Sequence, residues 1–156
     1  MILANYGIIA SSGAVIIPST LSNNLISYYK AESNTNDSLN VNNGTAQGGL
    51  TYSSGKSGNA FTLNGTNAYV EIGDKMDIGY DSWTYSSWVN PSSLTSGNYF
   101  SIFGKFQAAN VVGRIWANFY GDKLQFGWQA FNVIQLETLS TFSTNTWYHL
   151  TFVIDR

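Results

Sequence analysis

Residues 146–156 read Thr146-Trp147-Tyr148-His149-Leu150-Thr151-Phe152-Val153-Ile154-Asp155-Arg156 (TWYHLTFVIDR), and their reading decides the fold class. Side chains in a strand alternate between its two faces. Tyr148, Leu150, Phe152 and Ile154 therefore share one face, while Trp147, His149, Thr151 and Val153 share the other, with no Gly or Pro to interrupt the run. Such a strand needs neighbours, because an unpaired row of N–H and C=O groups is costly when buried and adhesive when exposed.

Upstream of this strand, from Leu21 onward, short apolar runs alternate with clusters of Gly, Asn and Ser, and no stretch sustains the helical period. That spacing predicts an all-β sandwich or barrel. Strands are expected at Leu25–Lys30, Ala60–Leu63, Ala68–Ile72, Trp83–Val89, Tyr99–Phe103, Arg114–Tyr120, Lys123–Trp128, Val133–Glu137 and Trp147–Asp155. Gly121-Asp122 joins two alternating runs with the length and chemistry of a tight hairpin. Its arms place Ile115, Ala117 and Phe119 with Leu124, Phe126 and Trp128 on a core face. Arg114, Trp116, Asn118, Tyr120, Lys123 and Gln125 fall on the opposite, polar face, as in a half-solvated antiparallel sheet. The segments "NNGTAQGG" and "SSGKSGNA" read as turns, since Gly supplies positive φ and Asn tolerates it.

The 156 residues suit one domain with a single core. Hydrophobic residues make up 44% and aromatics 15%, which sets the chain apart from disordered ones. Only 10% are charged, so Asn, Ser and Thr must solvate the surface, and neutral polar partners, or none, are favoured. A net charge of −2 leaves no basic stripe for a phosphate backbone, so no nucleic-acid partner is expected. The absence of cysteine removes disulfides, thiolate catalysis and Cys-type zinc sites.

The N-terminal "MILANYGIIASSGAVIIPST" has no cationic start, and Asn5-Tyr6-Gly7 divides its apolar run, so neither an export signal nor membrane insertion is expected. It reads as an extended arm over residues 1–20, dispensable for folding, with a first edge strand as the alternative. Residues 21–156 form the domain.

Several landmarks in order carry a family resemblance: Asn36-Asp37-Ser38, Gly44-Thr45, Gly55-Lys56, Gly58, Ala60, Asn64-Gly65, Tyr69-Val70, Trp88-Val89, Pro91 and Trp147-Tyr148-His149. From about Leu21 to the end the chain resembles the concanavalin A-like, laminin-G-like jelly-roll domains, departing only in Trp83 where Phe is usual. The resemblance implies an all-β fold of two antiparallel sheets. It also implies further strands after the Trp-Tyr-His strand, so the domain is expected to be truncated at its C-terminus or completed by another chain.

Glucanases of this broad fold use carboxylates spaced along one strand, because retaining hydrolysis needs an acid and a nucleophile about 5–5.5 Å apart. No two acidic residues here lie two apart, so no catalytic residues are assigned and a glycanase is disfavoured. His149, the only histidine, is expected to be structural. Asp74, Asp77 and Asp81 in "GDKMDIGYD" could contribute oxygen ligands to Ca²⁺, although the spacing is not that of a calcium loop and a solvated acidic loop explains it as well. By analogy with the family Asp37 joins Asp74 and Asp77 as a candidate metal ligand; no other cofactor is expected. Trp83 and Trp128 share faces with core residues. Trp88, Trp116, Tyr120 and Trp147 are the candidates for sugar stacking, because a pyranose offers a C–H face to a flat ring, and of these Trp116 and Tyr120, beside Arg114 and Asn118 on the polar face, are the better exposed for a glycan-binding site.

The expected function is non-enzymatic: a recognition or attachment module on a bacteriophage virion appendage, a head or tail fibre, docked on other virion proteins through residues 1–20 and assembled as a homo-oligomer. The alternative is a secreted carbohydrate-binding or adhesin domain of a bacterial surface protein or glycosidase.

Overall fold

The computed structural model describes residues 2–3, 24–75, 81–105, 114–129 and 133–155, and every structural statement below concerns these. They form eleven strands: β1 (Ile2–Leu3), β2 (Thr45–Gln47), β3 (Thr51–Ser54), β4 (Asn59–Thr62), β5 (Tyr69–Glu71), β6 (Trp83–Val89), β7 (Tyr99–Lys105), β8 (Arg114–Tyr120), β9 (Lys123–Gln129), β10 (Val133–Glu137) and β11 (Tyr148–Ile154). Among the described residues no helix is long and apolar enough to cross a membrane.

Seven strands form one antiparallel sheet in the order β10-β9-β8-β7-β1-β5-β2, β11 pairs with β6, and β3 pairs with β4. The expected two-residue turn is present: Tyr120 pairs with Lys123, and Gly121 takes φ +56°, where a side chain would be strained. Its register sets Ile115 opposite Trp128, Ala117 opposite Phe126 and Phe119 opposite Leu124. That core face is covered by β6 and β11. Tyr85 of β6 lies 4.1 Å from Phe103 of β7, and Phe152 of β11 stacks on Phe126 of β9 at 4.8 Å between centroids. These aromatics fill the space between the layers, each contributing on the order of 1 kcal/mol beyond its buried area through ring geometry. A bulge between Ser101 and Phe103 puts one extra residue into β7, and Ile102 and Phe103 are both buried.

Three features differ from the sequence expectations. Leu25–Lys30 is not a strand; it makes a single bridge, Tyr29 to Asp37, and is followed by residues with positive φ at Ala31 and Ser33. Its Tyr28 N–H is drawn instead to the Asp37 carboxylate, so side-chain bonding replaces a ladder. Strand β2 arises within a segment read as a turn, and β3, at a place where no strand was expected, runs into the second such segment at Ser53. Their residues are short and polar with little alternation, and they are held by pairing to β5 and β4. Lastly, Ile2 and Leu3 sit inside the large sheet, between Glu71 and Val70 of β5 and Gly104 and Phe103 of β7, where an extended arm or a first edge strand was expected. Residues 4–20 of that segment lie outside the described residues.

Candidate functional site

The outer face of β7–β10 gathers the polar and aromatic side chains that the core face excludes. All four expected ligand residues, Arg114, Trp116, Asn118 and Tyr120, alternate along β8 and share this face. The ladder then sets neighbours beside them. Ser101, Asn118, Gln125 and Glu137 are directly opposite one another across four strands. Asn118 Nδ2 donates to Gln125 Oε1 at 3.3 Å, and Gln125 Nε2 donates to Glu137 Oε2 at 2.8 Å. Both amides are 6% exposed, so the row is held rigid between larger side chains.

Aromatic residues flank the row on both sides. On one side Tyr99 and Tyr120 pair across strands, with centroids 4.6 Å apart and 66% and 38% exposure. On the other, the Trp116 indole lies over Gly127: a Cβ built there would stand 1.9 Å from Trp116 Cζ2. The Arg114 guanidinium sits 5.0 Å from the Trp116 ring centre. Trp116 is therefore packed between glycine backbone and guanidinium, and the tyrosine pair is the open platform. Beyond Tyr120 the face runs into a cavity of about 490 Å³ lined by Tyr120, Asp122, Lys123 and Glu137 with Leu94, Ser96 and Gly97 of the β6–β7 loop.

Sequence reasoning placed Gln125 on this face without naming it as a site residue, and it missed Tyr99 and Glu137. Gln125 was within reach, because a two-residue turn at 121–122 sets Asn118 opposite it. Tyr99 and Glu137 come from other strands, and no local signal sets their register.

The expected metal ligands are not brought together. Asp37 is 3% exposed, and its two oxygens accept the backbone N–H groups of Tyr28 (2.8 Å), Leu39 (3.1 Å), Asn42 (3.0 Å) and Val41 (3.4 Å). It organises its own loop. Burial pushes its carboxyl up, but the four N–H donors outweigh that and hold it below the usual carboxylate range. Asp74 pairs with Lys105 at 3.1 Å. Asp77 lies outside the described residues. Among the described residues no group of three His, Asp or Glu side chains is placed to hold a metal ion.

His149 lies on the outer face of β11, where its Nε2 is 2.9 Å from Ser86 Oγ and its ring is 5.1 Å from Trp88. The Lys56 ammonium stands 5.2 Å from the Trp88 ring centre. Ser86 and His149 are a cross-strand pair on a sheet surface, and no carboxylate among the described residues bonds the other imidazole nitrogen.

Two facing antiparallel layers with an aromatic interior define the chain as a jelly-roll β-sandwich domain. Residues 64–156 match the family Laminin_G_3, described as the concanavalin A-like lectin/glucanases superfamily, and the chain belongs to that family. No curated protein and no solved structure matches it. Family membership points to a module of the carbohydrate-binding or adhesion type.

Proposed function

We propose that the chain is a non-enzymatic recognition module that binds a neutral glycan on the outer face of β7–β10. The observation that carries this reading is the exposed Tyr99–Tyr120 pair standing beside the Asn118–Gln125–Glu137 row. A flat ring suits the C–H face of a pyranose, and pre-ordered amide and carboxylate groups suit its hydroxyls without reorganisation on binding. The low charge of the chain favours the same class of ligand.

The setting we propose is the surface of a bacteriophage particle, as part of a head or tail fibre recognising host glycans. Its support is the sequence reading: a neutral Asn, Ser and Thr surface and an apolar leading segment. Because Ile2 and Leu3 are ladder residues, attachment to other virion proteins falls to the remainder of residues 1–20.

The test is a neutral-glycan array probed with the whole chain and with Tyr99→Ala and Tyr120→Ala. Binding that each substitution lowers about tenfold or more, with an unchanged melting temperature, supports the site. Binding indifferent to both substitutions removes it. Release of new reducing ends from any bound polysaccharide would show an enzyme instead, with Asp122 and Glu137 of the adjoining cavity as the first residues to replace.

A further inference from the structure

The row of Asn118, Gln125 and Glu137 has a direction. A carboxylate only accepts hydrogen bonds, so Glu137 Oε2 obliges the Gln125 amide to turn its NH2 group toward β10, at 2.8 Å. Gln125 then presents Oε1 to β8, and Asn118 has to answer with its own NH2 group, at 3.3 Å. Left to themselves the two amides have no preferred sense, since each carries a donor and an acceptor side by side. Packing holds both side chains at 6% exposure, so the sense imposed at Glu137 is carried two strands away.

What is left at the far end is Asn118 Oδ1. Among the described residues it has no hydrogen-bond partner. With Nδ2 given to Gln125, this oxygen is turned away from β9, and the residue opposite Asn118 on that side, Ser101 of β7, is exposed. Tyr120 lies two residues beyond Asn118 on β8, and Tyr99 two before Ser101 on β7. That is a step of about 7 Å along the strands. The open acceptor therefore stands beside the exposed ring pair, within reach of the edge of a sugar lying on it.

We propose, on the glycan-binding reading of this face, that Glu137 acts through Gln125 as a positioning residue: it makes Asn118 an acceptor, so the site holds its sugar by a donor and favours a hexosamine with a free, protonated amine over the parent hexose. A nearly buried acceptor without a partner carries a desolvation cost that a ligand donor removes. A sugar hydroxyl can supply that donor. An ammonium supplies it with charge, in a bond roughly twice as strong. Fluorine in the same position only accepts, and meets the oxygen as a like pole. The net charge of −2 works in the same direction, since it attracts a cationic sugar.

The test uses matched oligosaccharides ending in a gluco, galacto or manno residue, each as the parent hexose, the 2-amino sugar and the 2-deoxy-2-fluoro sugar. They are titrated calorimetrically against the whole chain at about pH 6, where the sugar amine is protonated. The amine should bind about fivefold tighter than the hydroxyl, and fluorine about tenfold weaker. Glu137→Gln keeps the shape but lets the row lie either way, so amine and fluorine forms should come within about twofold of each other. Glu137→Lys puts a donor at that end, turns both amides over and should reverse the order. Glu137 is exposed, so the melting temperature should not move in either variant. In a Gln125→Ala background, where the row is cut, Glu137→Gln should change the ratio no further. A further change there would mean that the carboxylate touches the ligand itself, and would overturn its action through the row. Binding that Tyr120→Ala abolishes, yet with no preference for the amine, overturns the donor preference and leaves the glycan face standing. Absence of Tyr120-dependent binding to every member removes the face, and the preference with it.

Discussion

The Asp37 carboxylate accepts the Tyr28 backbone N–H at 2.8 Å across nine residues of chain, and this bond closes the loop that replaces a first strand. Three more N–H groups, of Leu39, Val41 and Asn42, converge on the same side chain. Asp37→Asn would turn an acceptor toward a donor at Oδ2 and orphan buried amides, costing about 2–3 kcal/mol of stability. Because the folded carboxyl ionises below its unfolded value, its contribution is present above about pH 4 and is lost as pH falls through the folded value. Urea unfolding from pH 7 down to pH 3 should show this decline in the native chain and a flatter profile in Asp37→Asn. Parallel profiles would mean that the carboxylate charge is immaterial.

Tyr29 gives the opposite signature. Burial, together with the nearby Asp37 carboxylate, pushes its phenol up to about 12, with partial relief from Ser27. Its hydroxyl donates to the Asn42 carbonyl in the same loop. A raised folded value means that the stability is fully present below the unfolded value, about 10, and is lost as pH rises through about 12. Phenolate absorbance should show a late-titrating tyrosine that Tyr29→Phe removes, and that substitution should flatten alkaline unfolding over the same window.

The position of β1 makes the first residues part of the fold. Leu3 pairs with both Val70, which is fully buried, and Phe103, which is 1% exposed. Deleting residues 1–3 separates β5 from β7 and leaves ladder groups on both unpaired, at a cost of about 2–4 kcal/mol. The shortened chain should lose cooperative thermal unfolding or melt well below the full chain. An unchanged melting temperature would mean that β1 adds nothing to the sheet.

What could be read from the sequence was whatever is local. The Gly121-Asp122 turn fixes the β8–β9 register, and through it the core row of Ile115, Ala117 and Phe119 and the outer row from Arg114 to Tyr120. The family landmarks proved structural in turn. Gly58 has φ +62° and would place a Cβ 2.0 Å from Glu32 Oε1, and Asp37 is the hub of its loop. Side-chain capture of this kind leaves no periodicity, which is why Leu25–Lys30 read as a strand. Partners chosen by distant register, such as Tyr99 for Tyr120, Glu137 for Gln125 and β1 for β7, have no signature in any short window.

The packing of Trp116 on Gly127 separates a role in shaping the face from a role in touching the ligand. Gly127 has ordinary negative-φ backbone, so Gly127→Ala introduces no backbone strain, but its methyl would stand 1.9 Å from the indole and force the ring away from the sheet. The displaced indole would disturb the Arg114 guanidinium and the adjoining Asn118–Gln125 bond. Glycan affinity should then fall about tenfold, about 1.4 kcal/mol, with a shift of tryptophan fluorescence toward longer wavelength as the indole meets water. Gln125→Ala should lower affinity to a similar degree with no fluorescence change, because it breaks the polar row and leaves the indole seated. If Gly127→Ala shifts the fluorescence and leaves affinity intact, recognition is confined to the tyrosine side of the face, and Trp116 with Arg114 serves only to cover the sheet.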